Sequence, residues 1–169
     1  MKFPKDILLI DFEGFDVPKQ IGVILLDKNT LEEKDSFSSY IFADTKGEIS
    51  LKSGITQEML NDAPTQTEVG KTVFEKFGTD VLIASFVAGL DFRHFRALLS
   101  SAGIDPALYD YHVLDVWPLA YVHLLKNGYD GKINSEEIFQ AFGAKPRGLH
   151  NALEDCRITA NVLRKIILN

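Results

Sequence analysis

The sequence predicts an α/β fold: a mixed β-sheet with helices packed on its faces. Three observations lead there. The first forty residues are a succession of strand-like runs, the apolar spacing changes to threes and fours from about Thr56, and two short apolar runs, Val81 to Val87 and Tyr111 to Val116, interrupt the helical part. Strands first, then helices alternating with strands, is the pattern of a mixed sheet covered by helices. With 169 residues, 46% of them apolar and 25% charged, the whole chain (1–169) is expected to form one domain that buries its core without disulfides or a structural metal.

The elements follow in order. Ile7 to Glu13 is apolar on both alternating faces, so it belongs in the middle of the sheet. Gln20 to Asp27 and Asp35 to Phe42 follow, punctuated by Asp16, Pro18 and Lys28-Asn29, which predicts an antiparallel meander. Helical spacing covers Thr65 to Phe77 and Phe92 to Ala102. In the last helix, Leu149, Leu153, Cys156, Ala160, Leu163 and Ile167 define a core stripe. Asn151 is placed to cap that helix, and Glu154, three residues on, to complete a capping box.

Several function classes are excluded. The single cysteine, Cys156, rules out an intrachain disulfide and a zinc site built on paired cysteines, which suits a reducing, cytoplasmic setting. The apolar run Ile7 to Ile10 is too short for a signal peptide or a membrane span, and no recruiting tail is expected after Ile167. A net charge of −6 argues against coating nucleic acid through bulk positive charge. It leaves open an enzyme that neutralises phosphate with bound cations at one site. GYDGKINSEE lacks the carboxylates of a calcium loop, Gly70-Lys71-Thr72 sits in a helical pattern rather than a phosphate loop, and His112 and His123 read as structural.

The acids raise the functional question. On the last helix Glu154 falls on the polar face, but Asp155 shares a largely apolar stripe with Ala152, Thr159, Val162 and Ile166. A carboxylate there must be paired, hydrogen-bonded or bound to metal, and taken alone it reads as a structural acid bridging to a nearby helix. Asp11 and Glu13 emerge on one face at the carboxyl end of the first strand, with Cα atoms roughly 6–7 Å apart, at the edge where ligand sites of such sheets gather. Asp91 follows a buried strand and opens a helix, where an N-cap explains it as well as chemistry does. His150 falls just outside the last helix.

In order, Asp11-x-Glu13, Asp91 and His150-x-Ala152-x-x-Asp155 resemble the signature of the DEDDh exonucleases, a family of the ribonuclease-H-like superfamily. The resemblance extends to Ile21 to Asp27, to SGITQEMLNDAPT (residues 53–65) and to VLDVWPLA, and so covers nearly the whole chain. It implies a ribonuclease-H-like, five-stranded mixed sheet and hydrolysis of nucleotides from the 3′ end of single-stranded DNA or RNA. By position it implies Asp11, Glu13, Asp91 and Asp155 as ligands for two Mg2+ or Mn2+ ions and His150 as general base. The sequence departs from the family in Phe86 and Val87, where many members have a His-Asn pair, and in Gly14, where a Thr is frequent.

On the substrate side, the resemblance implies that Phe12, Gly14, Ile55 and Thr56 lie about the nucleotide, with Gly54 beside them. Lys145 and Arg147 could reach a phosphate, although a solvated loop is the plainer reading. Phe15 and Phe86 read as core, with stacking on a base as the alternative. The competing class is a non-catalytic module that grips a nucleic-acid end or a protein on the same fold. Retention of all four acids with the histidine speaks against it.

Overall fold

In the computed structural model, residues 3–46 and 51–168 are described. Strands β1 (Asp6–Glu13), β2 (Gln20–Leu26) and β3 (Glu33–Tyr40) form the expected antiparallel meander, and β4 (Val81–Ser85) and β5 (Leu114–Asp115) add on in parallel. The sheet order is β3-β2-β1-β4-β5, so the doubly apolar strand is indeed central. This is the five-stranded mixed sheet that the resemblance implied.

Each face of β1 feeds a separate core. Ile7 and Leu9 pack with the helices α4 (Val116–Lys126), α5 (Ser135–Ala141) and α6 (Ala152–Leu168). Leu8, Ile10 and Phe12 pack with α2 (Gln66–Phe77) and α3 (Ala88–Ser101). A short helix, α1 (Gln57–Asn61), adds a satellite cluster of Ala43, Ile55 and Leu60. Among the described residues, no helix is long and apolar enough to cross a membrane.

Several boundaries differ from the sequence reading, each for a local reason. Strand β3 begins and ends two residues early because Asp27 closes the preceding turn, its carboxylate accepting the Asn29 and Thr30 N–H groups. Strand β5 is only two residues long because Asp115 already stands at the N-cap of α4. Helix α4 has no sequence forecast, since VWPLAYVHLLK is apolar nearly all round and shows little 3.6-residue contrast.

Leu149 is not part of the α6 core stripe: the helix starts at Ala152 and Leu149 is 68% exposed. Asn151 does cap it, its side-chain oxygen accepting the N–H groups of Leu153 and Glu154, each at 3.2 Å. The capping box is replaced by an ion pair, since the Glu154 carboxylate lies 2.7 Å from Arg157 Nη1.

One glycine lets the last helix reach the sheet. Gly22 pairs with Asp11 across β1 and β2, and a Cβ on it would lie 2.3 Å from the backbone carbon of Ala152. The bare backbone admits the first turn of α6, where Cys156 Sγ lies 3.3 Å from the Gly22 carbonyl oxygen. Gly22→Ala is therefore expected to destabilise the protein by about 1–3 kcal/mol through overpacking and to push Asp155 away from Asp11. Chemical denaturation reads the first effect and Mn2+ binding the second.

Candidate active site

The carboxyl ends of β1 and β4 and the starts of α3 and α6 surround a pocket of about 410 Å3. Asp11, Glu13, Asp91, Asp155 and His150 all line it, so the five sequence candidates converge from three separate chain segments. Strand alternation puts Asp11 and Glu13 on the α6 side of β1. The ligand atoms of Glu13, His150 and Asp155 lie within 4.8 Å of one another, close enough to hold one cation. His150 Nδ1 is 3.7 Å from Glu13 Oε1 and 3.9 Å from Asp155 Oδ2, and the His150 N–H donates to the Lys52 carbonyl at 2.9 Å.

Asp91 is not the N-cap of its helix. Helix α3 starts at Ala88, and Asp91 sits buried in its first turn, facing the sheet. Its Oδ1 accepts the Phe12 N–H at 3.1 Å, and its Oδ2 accepts the Ser85 hydroxyl. The β1–β4 pairing ends at Leu9 and Ala84, so Asp91 satisfies a strand N–H beyond the ladder.

The loop after β1 is built by backbone constraints. Gly14 has φ 113, and a Cβ there would lie 2.2 Å from the Val17 carbonyl oxygen, so the tight turn requires glycine. The next carbonyl, of Phe15, accepts from Arg93 Nη2 and from His94 Nε2, both at 3.1 Å. This holds Phe15 at the pocket, where the residue is 74% exposed, contrary to the core placement read from sequence. Phe86 is in the core as expected, its ring centroid 4.2 Å from that of Phe139, while Val87 is exposed.

The substrate candidates divide. Gly14 and Arg147 line the pocket, and Phe12 borders it while its own side chain is buried in the opposite core. Ile55 and Thr56 are not among the lining residues: apolar Ile55 fills the satellite core, and the Thr56 hydroxyl caps α1 by accepting the Met59 N–H. Lys145 is exposed, as a solvated loop predicts. Arg147 is not. Its side chain is 10% exposed, with Nη1 2.5 Å from Asp155 Oδ2 and Nε 2.7 Å from Glu136 Oε2. Ser85, Lys52 and Glu136 also belong to this neighbourhood and carry no sequence signal, because each reads locally as an ordinary polar residue of a strand end or a loop.

Crowded acids with little water resist ionisation. Burial, followed by the like charges of Asp91, Asp155 and Glu13, pushes the Asp11 carboxyl well above its ordinary range. Burial raises Glu13 to about 7, and raises Asp91 to about 7 against the pull of the Ser85 hydroxyl and the Phe12 N–H. Burial also raises Asp155, with Arg147 opposing. Burial and then the Arg147 charge lower His150, which favours the neutral imidazole.

These shifts set a pH dependence. A carboxyl whose folded pKa exceeds its unfolded value contributes stability that is full below the unfolded pKa and lost as pH rises through the folded one. For Glu13, raised from 4.5 to about 7, the loss is on the order of 3 kcal/mol. The lowered His150 and His94 act in the opposite sense, but four raised acids outweigh two imidazoles. The metal-free protein should therefore melt at a lower temperature at pH 8 than at pH 5.5, and Mg2+ should close the gap; thermal scans with chelator or Mg2+ check this.

Comparison with known proteins places this geometry. The sequence profile of the exonuclease (RNase_T) family matches residues 10–163. The chain belongs to the exonuclease family. This exonuclease is 26% identical over 171 residues to DNA polymerase III subunit epsilon of Aquifex aeolicus, covering 95% of its own length and 79% of that protein. Its fold is that of the nuclease domain of 3′hExo, a DEDDh family member solved with rAMP bound: the TM-score is 0.76 at 18% identity, over 99% of this chain and 94% of that one. It also matches the zinc-bound E. coli ExoI–ssDNA complex, with a TM-score of 0.77 at 16% identity over 98% of this chain. The exonuclease spans 41% of that ExoI chain, so it corresponds to one part of the larger protein.

Proposed function

We propose that this exonuclease removes nucleotides one at a time from the 3′ end of single-stranded DNA or RNA, with residues 1–169 acting as one catalytic domain. The observation that carries the reading is the convergence of Asp11, Glu13, Asp91, Asp155 and His150 on one pocket of a chain in the exonuclease family. The ssDNA held by the ExoI relative and the rAMP held by the 3′hExo domain support a single-stranded substrate with a free end.

The donor set fits a hard divalent cation. Among the described lining residues four carboxylates face two cations, Lys52 and Arg147, and the carboxylate oxygens suit magnesium or manganese. Asp11, Glu13, Asp91 and Asp155 would hold two such ions, which when bound supply positive charge to the scissile phosphate and the departing 3′ oxygen.

The chain's own residues do the rest. His150, kept neutral by burial and by Arg147, takes the proton of the attacking water at a ring nitrogen. Asp91 holds the Phe12 N–H and the Ser85 hydroxyl, which fixes the end of β1 and so the aim of Asp11 and Glu13. Phe15 offers an exposed ring on which the terminal base stacks, and Arg147 offers its guanidinium to a phosphate. Gly14 makes the tight turn that carries Phe15 to the pocket.

The test is incubation of 5′-labelled DNA and RNA oligonucleotides with Mg2+ or Mn2+, beside a chelator control. A ladder shortening from the 3′ end that disappears with chelator is the expected result. Binding without shortening under every condition would make the protein a non-catalytic module.

A further inference from the structure

Arg147 is a cation built into an anionic pocket. Its Nη1 lies 2.5 Å from Asp155 Oδ2, its Nε 2.7 Å from Glu136 Oε2, and its backbone N–H donates to Glu136 Oε1 at 3.1 Å. Its guanidinium carbon stands 4.8 Å from the centroid of the Phe139 ring. Glu136 and Phe139 are three residues apart on α5 and share a face, so the helix presents an anion and an aromatic surface as one socket. Gln140 steadies that socket, its amide donating to Glu136 Oε1 at 2.7 Å. A guanidinium gripped in this way keeps its charge in place even when one of its carboxylates is lost.

The contested atom is Asp155 Oδ2. It is bonded to Arg147, and it is also the Asp155 oxygen that faces His150 within the Glu13–His150–Asp155 group able to hold a cation. We propose that Arg147, tethered by Glu136, is an internal counter-cation that competes with a divalent ion for Asp155 and so sets the metal affinity of the site. The inference rests on Asp155 being a metal ligand. In the metal-free protein Arg147 relieves the repulsion among the acids. With a divalent ion on Asp155, the guanidinium would keep Glu136 and the Phe139 ring as its partners. Glu136 is thus a positioning residue acting through Arg147.

The sign of the effect separates this role from a structural one. Mn2+ is titrated calorimetrically into metal-free wild-type protein and into Arg147→Met, Arg147→Lys, Glu136→Gln and the Arg147→Met/Glu136→Gln double variant, with circular dichroism to check folding. Loss of the Arg147 charge should tighten Mn2+ binding at least about tenfold, while Arg147→Lys, which keeps the charge, stays within about threefold of wild type. Glu136→Gln, which leaves Arg147 to Asp155 alone, should weaken binding by about threefold or more. The double variant leaves no orphaned acid on α5 and should bind about tenfold more tightly than Glu136→Gln. A merely structural arginine would weaken metal binding when removed. Unchanged or weaker binding on removing Arg147, in both backgrounds, overturns the proposal. Wild-type protein that binds no Mn2+ overturns the metal-ligand reading beneath it, a different and separable failure.

Discussion

Asp11→Asn is expected to reduce 3′ shortening of a labelled oligonucleotide by at least about a thousandfold while raising the melting temperature of the metal-free protein. The two effects share one cause. Asp11 sits between Asp91, Asp155 and Glu13, and its carboxyl is burdened first by burial and then by those three charges. The amide keeps the shape and removes the charge, so the empty pocket gains stability, at about 2–4 °C per kcal/mol for a chain of this size. The same change removes an anionic ligand from the proposed metal site. Thermal scans in chelator and a gel assay in saturating Mn2+ measure the two sides on one preparation. A variant that loses activity and also melts lower would mean that Asp11 serves the fold, and would count against the proposed site.

His150→Ala is expected to cost about a hundredfold to ten-thousandfold in rate and to abolish the acidic limb of the pH profile. In the wild-type protein, burial and the Arg147 charge hold the imidazole below its usual 6.5. A general base acts in its deprotonated form, so the rate should climb as pH rises through a value under 6.5 and level off above it. Saturating metal keeps the carboxylates ionised across that range and leaves the imidazole as the titrating group. A rate flat from mildly acidic to mildly alkaline pH, or an acidic limb that survives in His150→Ala, would remove His150 from the base role. The backbone hydrogen bond from His150 to Lys52 is independent of the side chain, so the loop should keep its position in the variant.

The sequence by itself determined the elements whose cause is local. Alternation in ILLIDFE put β1 at the centre of the sheet and set Asp11 and Glu13 on one face, because successive side chains on a strand point oppositely whatever surrounds them. Helical spacing separated Glu154, which pairs with Arg157, from Asp155, which is buried. The ordered set of four acids and a histidine pointed to the pocket that the structure then assembled.

Only the tertiary structure decided what depends on neighbours distant in the chain. Asp91 reads locally as a cap, yet it serves Phe12, seventy-nine positions earlier in the sequence. Leu149 fits the spacing of the α6 stripe but falls outside the helix, which Asn151 starts only at Ala152. Phe15 looks like core until Arg93 and His94, from helix α3, hold its carbonyl at the pocket. Arg147 and Glu136 read as solvated charges, because nothing within a few residues of either shows that α5 folds over the loop and encloses the pair beside Asp155. Periodicity reports which way a side chain leaves its own strand or helix, whereas its charge environment is set by which other elements close over it.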